Sequence, residues 1–177
     1  MSWKRAIPWV VLVLAVAIFA IDRLVPGGGG SDRAAGGADG RAAGLVTRVV
    51  DGDTVHVRID GSDERVRYIG VDTPETVKPG TPVQCFGKAA SAYNHRLVGG
   101  QSVRLRFDAE QHDRYGRLLA YVYRARDGLF VNAALVRGGF ATTLTIAPNT
   151  AHATQFAALE RRARDRRRGL WRACPTG

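Results

Sequence analysis

The chain has 177 residues, a formal net charge of +10, 45% hydrophobic residues, 21 glycines and 2 cysteines. That apolar fraction suffices for one domain of ordinary size plus extensions and excludes wholesale disorder. Two cysteines exclude a disulfide-framework miniprotein and a four-cysteine zinc module but allow one bridge, and the basic balance favours polyanions such as nucleic acid or anionic lipid.

Lys4 and Arg5 precede sixteen apolar residues, Ala6 to Ile21 counting Pro8, which end at Asp22-Arg23. A basic start followed by an apolar run is the pattern of an export signal, and residues 1–25 are read as a signal peptide or an uncleaved signal anchor. The A-x-A match at Ala15-Val16-Ala17 lies inside the run rather than after it, which leans toward an anchor. Either outcome places the rest of the chain outside the cytoplasm, secreted or membrane-anchored. Residues 26–44 contain eight glycines in nineteen positions and read as a flexible linker.

From Leu45 the pattern changes to short β-rich runs separated by turn residues. Leu45–Val50, Thr54–Ile59 and Arg65–Val71 are joined by Asp51-Gly52-Asp53 and Asp60-Gly61-Ser62-Asp63, which predicts an antiparallel meander. A Pro- and Thr-rich loop runs to Gln84, and a helix is predicted from Cys85 to Leu97, stopped by Gly99-Gly100. Val103–Phe107 and Leu118–Tyr123 make the fourth and fifth strands. Val131–Val136 reads as a short helix, an irregular piece follows, and Phe156, Leu159 and Ala163 mark the apolar stripe of a last helix. Its other faces are mostly arginine: residues 158–172 hold seven arginines against Glu160 and Asp165. Five short strands with a helix between the third and fourth fit a mainly β (α+β) domain, a five-stranded oligonucleotide-binding barrel with about three helices, over residues 45–174. A parallel doubly wound fold is excluded because the first two connections are too short for crossover helices.

Asp53, Asp72 and Glu75 stand at strand ends or in loops, with Arg67 and Arg117 among them. Acids that hold a hard cation, an acid that activates water, and guanidiniums that clamp phosphate together suit phosphodiester hydrolysis, because negative charge grows in the five-coordinate transition state. Arginine suits the clamp through its planar two-donor fork. Each piece also has a plainer reading: Asp51-Gly52-Asp53 as a hairpin turn, Asp72-Thr73-Pro74-Glu75 as a turn cluster, and Asp113-Arg114-Tyr115-Gly116-Arg117 as a charged turn. Arg67 and Asp72, five positions apart, fall on opposite faces of a regular strand. A shared site therefore requires a bulge at Gly70 or a strand that ends by Val71. His112, beside Asp113, reads as a surface residue.

These pieces occur in one order: Val50-Asp51-Gly52-Asp53-Thr54, then Arg67 and Val71-Asp72-Thr73-Pro74-Glu75, Phe86-Gly87 with Ala89 to Tyr93, Asp113 to Arg117 with Leu119-Ala120-Tyr121, Asn132 with Ala134 to Arg137 and Gly139, and Gly169-Leu170-Trp171. Over about residues 45–172 the chain resembles the staphylococcal nuclease family. The resemblance implies a calcium-dependent endonuclease acting on DNA and RNA, single strands favoured, that leaves 3′-phosphate ends. It implies Asp53 and Asp72 as carboxylate ligands of Ca2+ and Thr73 as a ligand through its carbonyl. Glu75 would orient or deprotonate the attacking water, Arg67 and Arg117 would clamp the phosphate, and Asp51 would support the metal site, with Asp113 and Tyr115 beside the substrate. An oxygen-only set suits calcium and argues against zinc. The chain departs from the family between Thr142 and Ala147, where tyrosines usually border the nucleotide and this sequence has none.

Export changes the reading of the cysteines. In an oxidising compartment Cys85 and Cys174 are expected to pair, stabilising by up to roughly 4–5 kcal/mol on the loop-entropy argument and pinning the last helix to the barrel. A monomer is expected. The alternatives are a catalytically inactive oligonucleotide-binding module, which would typically lose acids or arginines of the site, and a surface anchor whose arginine run contacts anionic lipid.

Overall fold

The computed structural model describes residues 40–76, Gly80 and 82–174. The apolar segment 1–25 and linker residues 26–39 lie outside the described residues. The elements are β1 (Arg41–Val49), β2 (Thr54–Ile59), β3 (Ser62–Tyr68), β4 (Gly70–Asp72), α1 (Gly87–Val98), β5 (Ser102–Arg106), β6 (Leu118–Arg124), α2 (Val131–Gly138), β7 (Thr142–Leu144), α3 (Ala153–Asp165) and α4 (Leu170–Ala173). Five strands close a barrel in the order β1-β2-β3-β6-β5, and β4 and β7 form a separate two-stranded sheet. The mainly β barrel with helices attached is the architecture expected from the sequence.

Period-two alternation drives the strands. In β5, Val103 and Leu105 are buried while Ser102, Arg104 and Arg106 are exposed. Between β2 and β3 the chain reverses at Asp60-Gly61, where φ is 48° and 88°. Two successive positive φ values make the primed hairpin turn whose twist matches the flanking strands. Val46, Val55, Val57, Val66, Tyr68, Leu105, Leu118 and Leu135 are fully enclosed, and each such aliphatic contributes about 1.5–3 kcal/mol by leaving water. β3 runs parallel to β6 and β1 antiparallel to β5, and these two pairings close the barrel.

Three expectations are corrected. Arg41–Gly44, placed in the flexible linker, are the first half of β1 and pair with Val103–Arg106 of β5. Backbone pairing along the closing seam recruits them, so a Gly/Ala composition that buries little side chain was misleading. The strand expected over Arg65–Val71 breaks after Tyr68, and its last part is β4. The piece between α2 and α3 expected to be irregular contains β7, which pairs Thr142 with Asp72. A fourth short helix, α4, also follows the arginine run.

The helices lie where expected. α1 buries Ala90, Asn94 and Leu97, and α3 buries Phe156, Leu159 and Ala163. All seven arginines from Arg161 to Arg172 are exposed. Cys85 and Cys174 form a disulfide that ties the start of α1 to the end of α4. No helix among the described residues is long and apolar enough to cross a membrane.

Candidate active site

The break between β3 and β4 builds the site. Gly70 has φ +77°, and a Cβ there would stand 2.5 Å from the Phe156 ring, so both the bend and the contact call for glycine. The bend removes the alternation problem between Arg67 and Asp72. The Arg67 guanidinium donates from Nη2 to Asp72 Oδ1 at 2.7 Å, from Nη1 to the Val71 carbonyl at 2.9 Å, and pairs through Nη1 with Asp53 Oδ1 at 2.8 Å. One arginine therefore bridges the two carboxylates that the sequence singled out.

Asp53, only 4% exposed, is fixed on its other side by Thr73, whose amide and hydroxyl donate to Asp53 Oδ2 at 2.7 and 2.8 Å. The Thr54 hydroxyl donates to Asp53 Oδ1 at 3.1 Å. Close approach of the two loops explains Gly52, where a Cβ would lie 2.6 Å from Thr73 Oγ1. Asp51 accepts the Asp53 amide at 3.0 Å. Glu75 accepts the Thr76 amide through Oε1 at 2.7 Å.

Arg117 is aimed by Asp113, which accepts its Nε at 2.7 Å and its amide at 3.0 Å, and also the Tyr115 amide at 2.9 Å. The terminal nitrogens of Arg117 make no hydrogen bond or ion pair among the described residues. The guanidinium carbon lies 5.5 Å from the Tyr115 ring centroid, and Tyr115 itself is 67% exposed. Partial burial acts to raise the Asp113 carboxyl, but the hydrogen bonds from Arg117 and Tyr115 outweigh it and hold the group below the usual carboxylate range. The aiming contact is therefore ionic at neutral pH.

Asp51, Asp53, Asp72, Thr73, Glu75, Arg67 and Arg117 line one polar cleft of about 180 Å³. Arg67 and Arg117 also line a neighbouring cleft of about 460 Å³ walled by Asp113, Tyr115, Leu144 and Ile146. The two guanidiniums thus stand where the clefts meet. Leu144 and Ile146, 40% and 61% exposed, come from the segment lacking the expected tyrosines and give the larger cleft an aliphatic wall.

Electrostatics show crowding of negative charge. Burial, then the charge of Asp53, pushes Asp51 up to about 6. Burial, opposed by Arg67 but reinforced by the charges of Asp53 and Glu75, holds Asp72 above the ordinary carboxylate range. Arg67 alone does not neutralise this cluster, which is the condition under which a hard cation is attracted. Among the described residues no three His, Cys, Asp or Glu side chains form a metal cage by themselves. An ion here would complete its shell with backbone oxygen and water, as calcium readily does.

Some supporting residues carried no signal in the sequence. Buried Asn94 donates to the Asp51 carbonyl at 3.0 Å and accepts the Tyr68 hydroxyl at 3.1 Å, tying α1 to the first loop. Gln84 bonds both to and from the Glu75 backbone. Only the fold brings these pairs together. His112 is exposed.

Fold and site together define an oligonucleotide-binding barrel with an arginine-bridged carboxylate cleft. The sequence signature described as Staphylococcal nuclease homologue matches residues 65–173. The chain is 43% identical over 162 residues to the thermonuclease of Staphylococcus intermedius, covering 91% of this chain and 95% of that protein. It is 42% identical over 126 residues to the thermonuclease of Staphylococcus hyicus, covering 71% and 73%. Endonuclease YncB of Bacillus subtilis (strain 168) is 42% identical over 126 residues, 70% of this chain and 59% of that protein. The chain belongs to the staphylococcal nuclease family.

Proposed function

We propose that this protein is a phosphodiester-hydrolysing nuclease, a calcium-dependent endonuclease cutting DNA and RNA outside the cytoplasm. The observation that carries the reading is the convergence of Arg67, Arg117, Glu75, Asp53 and Asp72 on one polar cleft that opens beside a larger, partly apolar one. The polar cleft has the size for the scissile phosphate, which Arg67, Arg117 and a bound cation would attract against the carboxylates, and the larger cleft has room for an adjoining nucleoside. Thermonuclease and endonuclease relatives support the same class.

Asp53, Asp72 and the Thr73 carbonyl are the groups that would hold calcium. When bound, the ion neutralises charge on the phosphate and polarises it toward attack. Glu75 takes the proton of the attacking water as the water oxygen bonds to phosphorus, and the bond to the 5′ oxygen breaks opposite it. Arg67 and Arg117 donate to the equatorial oxygens as their charge grows, with Arg117 nearer the leaving oxygen. The departing 5′ oxygen takes up a proton, and the phosphate stays on the 3′ end.

Delivery across a membrane rests on the charged and apolar pattern of residues 1–25, and the Cys85–Cys174 pair suits an oxidising compartment. The inactive-module alternative is disfavoured because every acid and arginine of the site is present. The test is to incubate the full chain with single-stranded DNA and calcium and identify the ends. Fragments bearing 3′-phosphate and 5′-hydroxyl groups are expected. Intact DNA would leave a binding module, and 5′-phosphate ends would contradict the direction of cleavage.

A further inference from the structure

We infer that Gln84 is a positioning residue for Glu75 and that the Cys85–Cys174 disulfide is its anchor, so the rate of the proposed cleavage depends on the redox state of a bond outside the reacting centre. The inference rests on the reading of Glu75 as the water-activating group.

Glu75 and Gln84 lie nine positions apart and clasp each other along the backbone. The Glu75 amide donates to Gln84 Oε1 at 2.8 Å, and the Gln84 amide donates to the Glu75 carbonyl at 3.0 Å. Both main-chain polar groups of Glu75 are thus held by one residue, and the Cα position from which its carboxylate reaches the cleft is set from that side. Contact with α1 is equally close, since a Cβ on Gly87 would lie 2.9 Å from the Glu75 carbonyl oxygen and 3.1 Å from that of Pro74.

Gln84 is itself exposed and precedes an exposed half-cystine, so nothing apolar fixes it. Its carbonyl accepts the Gly87 amide at 3.0 Å, where α1 begins, and the next residue adds a covalent anchor. Cys85 is bonded to Cys174, whose amide donates to the Leu170 carbonyl at 3.0 Å. The Leu170 amide in turn donates to the Gly139 carbonyl at 2.8 Å, where α2 ends against the barrel. A continuous path therefore runs from the barrel through α4 and the disulfide to the clasp on Glu75. The disulfide also borders the groove of about 290 Å³ that begins at Asp72 and Thr73. Opening the bond removes the covalent anchor and leaves the Gln84 end of the clasp held by the Gly87 amide alone, while the contacts of Asp53, Arg67 and Arg117 described above do not involve it.

A dithiol such as dithiothreitol reduces the bond to two thiols and is oxidised to its own cyclic disulfide. The experiment measures kcat and KM on single-stranded DNA for the full chain, wild type and Gln84→Ala, each oxidised and reduced. It is run below the melting temperature of the reduced protein, with circular dichroism as the check on folding. Gln84→Ala is expected to lower kcat about tenfold to a hundredfold with KM unchanged, the scale of a misplaced catalytic group. Reduction is expected to lower wild-type kcat by a similar factor and to add little to Gln84→Ala. Full kcat in oxidised Gln84→Ala, or reduction lowering both proteins by equal factors, would overturn the inference. Failure of the underlying reading looks different: wild type leaves DNA intact, or Glu75→Gln keeps the wild-type rate.

Discussion

Glu75→Gln is expected to lower kcat on single-stranded DNA by about 10²–10⁴-fold, the usual contribution of a positioned general base. The substitution is nearly isosteric. Glutamine keeps an oxygen for the Thr76 amide, now bonded at 2.7 Å, and leaves the backbone clasp with Gln84 untouched. What disappears is the capacity to take a proton from water. The loss should therefore appear in kcat, with KM and the thermal midpoint close to wild type, and single-turnover cleavage at saturating calcium measures it without interference from product release. A rate within tenfold of wild type would place the base elsewhere in the cleft.

Arg117→Ala is expected to lower kcat by about 10²–10³-fold, the range for removing one donor aimed at developing charge. Asp113 holds the Nε of Arg117, and the terminal nitrogens are left for a ligand. Such donors act most strongly when charge has grown on the phosphate oxygens, so kcat and kcat/KM should fall together. Arg117→Lys should recover little, because an ammonium cannot bond Asp113 and offer two parallel donors at once. The fold should tolerate both changes. Asp113 keeps the backbone amides of Tyr115 and residue 117 at 2.9 and 3.0 Å, so the expected loss of stability is about 1–2 kcal/mol. Denaturant midpoints alongside the kinetics separate the two effects.

The chemistry was more legible in this sequence than its geometry. The alternation of Val103 and Leu105, the Asp60-Gly61 turn and the stripe of Phe156, Leu159 and Ala163 are local, and the sequence states them directly. The acids and arginines could be named because their types and order suit one reaction. The route by which Arg67 and Asp72 meet was not legible, since it depends on a left-handed Gly70 packed under a ring of α3, 86 positions away. Nor was the first half of β1, because Arg41–Gly44 are ordered by pairing with β5 rather than by burying side chains. Gln84 and Asn94 are long-range supports whose partners lie 9 and 43 positions away. A polar residue in a Pro-rich loop or on a helix gives no sign of such a partner.

The site also shows how one arginine serves two needs. Arg67 bridges Asp53 and Asp72 and so keeps two crowded carboxylates close together. On the proposed reading, a phosphate entering the cleft would compete for the same guanidinium, and a cation would then offset the acids. This exchange predicts that metal and substrate favour each other's binding.

A calcium titration of DNA cleavage by wild type and Asp72→Asn tests the central claim most directly. Asparagine keeps an oxygen for Arg67 but removes one negative charge from the proposed ligand set. Wild type is expected to be inactive in chelator and to saturate with calcium, whereas Asp72→Asn should need on the order of tenfold more calcium for half its own maximal rate. Cleavage undiminished in chelator, or superimposable calcium curves for the two proteins, would contradict the assignment of this cleft as the calcium-dependent catalytic centre.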